Sequence, residues 1–185
     1  DHLYSDAFNL LKQLITIPSF SKEEDKTADW LENFLQQKNL KSNRYLNNVW
    51  ASNKTFDTNK PTILLNSHHD TVKPNKGYTL DPFKPIEKDR KLFGLGSNDA
   101  GGPLVSLLAA FLYYYDTDIP YNIIFAGTAE EEISGKNGVE ILMPHLPKID
   151  CAIVGEPTLL NMAIAEKGLL VLDCTSHRKA GHAAR

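Results

Sequence analysis

Apolar residues first recur at helical spacing: Phe8, Leu11, Leu14 and Ile15 follow Ser5 and Asp6, and Pro18 ends the pattern. This predicts an opening amphipathic helix. Ser21 with Glu24 makes a capping-box pattern ahead of Ala28, Leu31, Phe34 and Leu35, which predicts a second helix before Asn39. The period then shortens. Tyr45 and residues 49–51 predict short strands around Asn47-Asn48. The run T-I-L-L-N-S-H-H-D-T-V, residues 62–72, opens after Pro61 and predicts a buried strand that exits into His68 and Asp70, although periodicity alone also admits a piece of buried helix. Residues 86–93 around Asp89-Arg90 predict a small hairpin, and residues 104–114, led by Pro103, predict a helix. Residues 121–127 and 151–154 predict two more buried strands, with a helix over 138–143 between them.

Alternation of apolar strands with helices indicates an α/β sheet covered on both faces. From Met162 the texture changes, and residues 166–185 read as entry into a second domain after a first domain over 1–165. At 185 residues, 42% apolar, 23% charged and net charge −3, the composition is that of an average soluble domain. Neither nucleic acid nor a membrane surface is suggested as a partner. No apolar stretch approaches the ~20 residues that span a bilayer, and the first residues lack a basic-then-apolar signal pattern, so a cytoplasmic location is expected. The chain starts without Met, which leaves open a trimmed beginning. Cys151 and Cys174 lie in apolar runs without a C-x-x-C pair and are expected as reduced core residues.

The chemistry gathers where the strands end. In extended chain, residues two apart point to the same side, so His68 and Asp70 face one site while His69 faces away. A carboxylate beside an imidazole fixes its tautomer and raises its basicity, which suits a metal. The other exits carry Glu130, Glu131 and Glu132, and Glu156; Asp99 stands in the glycine-rich stretch G-L-G-S-N-D-A-G-G. That stretch is not a phosphate loop, because no Lys-Ser/Thr follows and Asp99 replaces the third glycine of G-x-G-x-x-G. In open α/β sheets, strand exits meet in one crevice. Asp99, Glu131, Glu132 and Glu156 gathered there, with no basic residue in their motifs, call for a cation, and one His among them suits zinc, with cobalt or manganese as substitutes.

The motifs S-H-H-D-T-V, G-S-N-D-A-G-G, A-E-E-E, V-G-E-P-T and G-H-A-A-R, in this order and spacing, resemble the zinc-dependent aminoacylase and carboxypeptidase G family, which includes acetylornithine deacetylase and succinyl-diaminopimelate desuccinylase. The stretch A-E-K-G-L-L-V-L-D-C-T with G-H-A-A-R resembles the acetylornithine deacetylase branch most. The resemblance implies a three-layer α/β/α zinc-exopeptidase-like catalytic domain, of which residues 1–165 are the N-terminal part, and the start of a small α+β lid and dimerisation domain at 166–185. It implies two zinc ions, with His68, Asp99 and Glu156 on one, and Asp99 bridging to a second held also by Glu132. Asp70 would orient His68, and Glu131 would be the general base. Glu130 receives no role. The bond between Asp99 and Ala100 would be cis.

Family members run to roughly twice this length, and their second zinc takes a further histidine from beyond the equivalent of Arg185. His182 matches a lid histidine that reaches a neighbouring subunit's site, which implies a homodimer for the full-length enzyme. The implied activity is hydrolysis of the amide of a small N-acyl amino acid, with acetylornithine or another intermediate of arginine biosynthesis favoured. The alternatives are a metallo-dipeptidase or carboxypeptidase of the same family, and an inactive metal-binding fragment.

Overall fold

The structure is a computed structural model and describes residues 2–165 together with Gly168, Leu172, Cys174 and Thr175. Helix α1 (His2–Thr16) turns Leu10, Leu11, Leu14 and Ile15 inward, as the spacing predicts. Helix α2 (Asp25–Gln37) buries Thr27, Ala28, Leu31 and Leu35. Its start corrects the sequence reading: Ser21 and Glu24 do not cap it, and both side chains are committed to partners elsewhere in the fold. A hairpin follows, β1 (Ser42–Tyr45) and β2 (Asn48–Ser52), turning at Leu46-Asn47. The second hairpin, β4 (Ile86–Lys88) and β5 (Lys91–Phe93), turns at Asp89-Arg90, both with positive φ of 52° and 58°. Those angles give the turn type that matches strand twist in a two-residue loop.

Strands β3 (Thr62–His68), β6 (Asn122–Thr128) and β7 (Cys151–Val154) are the three apolar runs. The sheet runs β1-β2-β6-β3-β7, with β3 parallel to both β6 and β7 and β2 antiparallel to β6. Because side chains alternate across a strand, each central strand feeds two cores. Ile123, Phe125 and Leu65 pack with α1, α2 and α3 (Gly102–Tyr114), whose Leu104, Val105, Leu108 and Phe111 are buried. Leu64, Ile124 and Ala126 pack on the other face, where Leu142 of α4 (Val139–Leu142) is the buried helical contribution. The helix expected over 138–143 is that single turn, continued by a 3₁₀ turn at Met143–His145. The second helical layer is therefore thin among the described residues.

At the far side of the sheet, β7 is exposed at all four residues. Cys151 is exposed there, and so is Cys174, which corrects their expected place in the core. The expected domain change at residue 166 and His182 both lie outside the described residues. No described helix is long and apolar enough to cross a membrane.

Candidate metal centre

Strand register sets the geometry. His68 pairs with Thr128 in the parallel β3·β6 ladder, so the β3 exit lies beside the turn that carries Glu130, Glu131 and Glu132. On the other side Asn66 pairs with Val154, and continuing that register brings Glu156 level with His68. Buried Asn66 locks the strands here: its Nδ2 donates to Thr128 Oγ1 at 3.1 Å and to Ala126 O at 3.2 Å. The third contributor is the loop before α3. Gly96 (φ 72°) and Gly101 fold it so closely that a Cβ on Gly101 would lie 2.5 Å from the Gly96 carbonyl, and the Asp99–Ala100 peptide within it is cis.

His68 is the centre of the cluster, with its side chain fully buried. Its Nδ1 faces two acceptors, the Asp70 carbonyl at 3.0 Å and Asp70 Oδ1 at 3.3 Å, so Nδ1 carries a proton. Nε2 then points at Asp99 Oδ1 (3.2 Å), Glu131 Oε2 (3.7 Å) and Glu156 Oε2 (3.9 Å). Glu132 joins on a second edge: His68, Asp99 and Glu132 each offer a donor atom within 4.8 Å of the others. His69 points the other way, between Thr27 Oγ1 and the Asn47 carbonyl, each at 2.8 Å. Burial drives its pKa down to about 4.

Asp70 is completely buried and acts as an acceptor for four donors. Ser21 Oγ donates to Oδ2 at 2.7 Å, the N–H groups of Glu131 and Glu132 donate at 3.0 and 3.2 Å, and His68 Nδ1 approaches as above. Burial works to raise this carboxyl, yet hydrogen bonds from His68, Ser21 and the Glu131 N–H hold it below the usual range. One carboxylate thus touches both the histidine and the acidic turn.

The donor set fits a divalent cation. With Nδ1 protonated, the Nε2 lone pair faces carboxylate oxygens that are themselves acceptors, a mismatch that only a proton or a cation between them relieves. Without a cation the proton takes that place: burial opposes charge on His68, but Asp70, Glu156 and Glu131 outweigh it and lift its pKa to about 9. Burial and repulsion from Asp99 raise the Glu132 carboxyl; burial raises that of Glu156 against the pull of His68. Among the described residues no lysine or arginine pairs with any of these carboxylates. His68, Asp99, Glu132 and Glu156 could hold one or two cations.

Residues 64–169 match Peptidase family M20/M25/M40. The chain belongs to this family. It is 30% identical over 168 residues to a succinyl-diaminopimelate desuccinylase from Rickettsia massiliae (strain Mtu5), covering 81% of this chain and 43% of that protein. It is 30% identical over 188 residues to an acetylornithine deacetylase from Buchnera aphidicola subsp. Schizaphis graminum (strain Sg), covering 95% and 49%. The fold is similar to that of an M20 family metallo-carboxypeptidase from Sulfolobus solfataricus, with TM-score 0.65 at 21% identity over 80% of this chain and 37% of that one. The chain spans less than half the length of the relatives it matches.

Three features of the centre lay outside the sequence reading. Glu130, given no role, adopts a left-handed conformation (φ 54°), which costs a non-glycine residue on the order of 1–2 kcal/mol. Its buried carboxylate accepts Asn137 Nδ2 at 2.8 Å. Ser21 and Glu24 reach the strand exits from the α1–α2 connection, and the signal that could have found them is the same Ser-x-x-Glu pattern that reads as a helix cap.

Proposed function

We propose that this M20 chain carries the metal-holding face of an amide hydrolase for N-acyl amino acids. The observation that carries the reading is His68 Nε2, unprotonated when Nδ1 alone holds the proton, aimed at Asp99, Glu131 and Glu156 with Glu132 in the same cluster. His68, Asp99 and Glu156 would hold one zinc, and Asp99 and Glu132 a second. A bound zinc supplies Lewis-acid polarisation of the amide carbonyl and makes water acidic enough to react near neutral pH. Glu131 would take the proton from the attacking water and return it to the leaving amine, releasing a carboxylate and a free amine. Its carboxylate is half exposed toward the crevice while its N–H is tied to Asp70, which suits a group that must reach substrate from a fixed base. Asp70 would hold His68 in the required tautomer.

A dipeptidase or carboxypeptidase activity is the second reading, favoured by the fold shared with the Sulfolobus metallo-carboxypeptidase. The two relatives above differ in both acyl group and amino acid, so the full-length protein should be assayed on acetylornithine, succinyl-diaminopimelate and unblocked dipeptides. Turnover of the first or second, with dipeptides untouched, is the expected result; the reverse selects the peptidase. In the active protein Glu131→Gln should keep its metal and lose about 10²–10⁴-fold in turnover, the usual worth of acid-base catalysis, whereas Glu132→Gln should lose metal. Metal loss from the first with retention in the second would exchange the two roles. The 185-residue chain alone is expected to hold about one equivalent of zinc and to be inactive, because among the described residues the second site has only Asp99 and Glu132.

A further inference from the structure

The acidic turn that carries Glu131 and Glu132 is not packed into either apolar core. A cleft of about 330 Å³ runs behind it, walled by Glu24, Asn47, Ala129, Glu130 and Asn137. A turn in an unfavourable conformation beside open space needs specific polar contacts to keep its shape. Glu24 supplies them from an unexpected direction. Its side chain is completely buried at the entrance to α2 and caps no helix. Oε1 accepts the N–H of Lys22 at 2.7 Å and the N–H of Glu130 at 3.1 Å; Oε2 accepts Asn47 Nδ2 at 3.1 Å.

All three partners are donors, so the site suits a carboxylate and not an amide, whose NH₂ would face a donor. Charge makes such bonds stronger than neutral ones. The Glu130 N–H is the informative partner, because Glu130 is the left-handed residue that turns the chain from β6 toward His68. The α1–α2 connection is anchored beside it to the segment that follows β3: Thr71 N–H donates to Ser19 O at 2.8 Å, and Ser21 Oγ to Asp70. Glu24 therefore ties the acidic turn to the same frame that holds Asp70.

We propose that Glu24 is a positioning residue whose buried carboxylate, by accepting the Glu130 N–H, sets the turn from which Glu131 and Glu132 face His68 and Asp99. It touches no ligand and acts through the backbone of Glu130. This inference rests on the reading of Glu132 as a metal ligand.

The test uses the full-length protein, stripped of metal and titrated with cobalt(II) while its visible absorption is followed. Glu132→Gln identifies the equivalent that depends on Glu132. Glu24→Gln, with its fold checked by circular dichroism, should weaken that same equivalent by about 10–100-fold, the usual effect of losing a residue that orients a ligand, and leave the other within about twofold. On whichever substrate the wild type turns over, kcat should fall by a similar factor with KM little changed. Equal weakening of both equivalents would mean general loosening and overturn the proposal, as would an unchanged titration. If Glu24→Gln does not fold, Asn47→Ala removes one of the three donors and keeps the carboxylate; the same equivalent should weaken by a smaller factor, and no change overturns the proposal. A wild type that hydrolyses none of the substrates while Glu24→Gln still weakens one equivalent selectively would sink the proposed activity and leave this inference standing.

Discussion

Strands β6 and β7 have the same texture in sequence and opposite environments in the fold. Both are short apolar runs that exit into acids, yet every residue of β6 is buried and every residue of β7 is exposed, Ile153 at 49% and Val154 at 58%. The difference lies in neighbours. Strand β6 pairs on both edges, with β2 and β3, and is covered on one face by three helices; among the described residues β7 pairs with β3 alone and ends the sheet. An apolar run therefore states a demand for burial, and only neighbouring elements decide whether it is met. A row of exposed apolar side chains on an unpaired strand edge is a surface that normally has a partner.

The sharpest way to break the comparison is to truncate one side chain in each strand. Phe125→Ala removes a fully buried ring packed on Phe111, with centroids 6.1 Å apart, and should lower stability by about 3–5 kcal/mol in denaturant melts. Ile153→Ala should change it by less than about 0.5 kcal/mol in the 185-residue chain. In the full-length protein the Ile153 effect should rise toward the ~2–5 kcal/mol of a core aliphatic. An unchanged small effect there would mean that β7 is a genuine open edge.

The same contrast explains what could be read without coordinates. The strands and their exits were legible because apolar runs bounded by Pro61, Gly155 and the acidic turn leave few alternatives, and parallel register then brings His68, the acidic turn and Glu156 together. Cys151 was misplaced because its apolar setting speaks of burial that the described residues do not provide. Ser21 and Glu24 were misread for another reason. A Ser and a Glu three apart satisfy a helix start equally well as local partners or as donor and acceptor, respectively, for distant groups, and the distant partners Asp70 and Glu130 lie 49 and 106 residues away in sequence. Local pattern cannot weigh such contacts.

A smaller effect is expected at Asp70, which belongs to the buried side of the comparison. Asp70→Asn keeps the volume but turns two acceptor oxygens into one, leaving two donors facing an NH₂, either Glu131 N–H and His68 Nδ1 at the Oδ1 position or Ser21 Oγ and Glu132 N–H at the Oδ2 position. Zinc affinity in the full-length protein should fall about 10–100-fold without unfolding. An unchanged zinc titration would reduce Asp70 to a strand-end cap.

The smallest effect should appear where β7 begins. Asp150 Oδ2 accepts the Thr62 N–H at 2.9 Å, and the Asp150 N–H donates to Thr62 O at 2.9 Å, so the exposed strand is tied to the first residue of the buried one. Lys148 Nζ, 2.7 Å from Oδ1, and the Thr62 N–H hold the Asp150 carboxyl below the usual value of 3.8. A carboxyl depressed in the folded state contributes stability that is present above the unfolded value and disappears as pH falls through the folded one. The melting temperature of wild type should therefore exceed that of Asp150→Asn slightly near neutral pH, and the gap should close as pH drops below that usual value. Lys148→Met should change melting less than Asp150→Asn, since an exposed ion pair contributes little and the backbone tie to Thr62 remains. Hydrogen exchange locates the effect: loss of Asp150 should speed exchange in β7 and leave β6 unchanged, and faster exchange in both would mean that the edge strand supports the centre of the sheet.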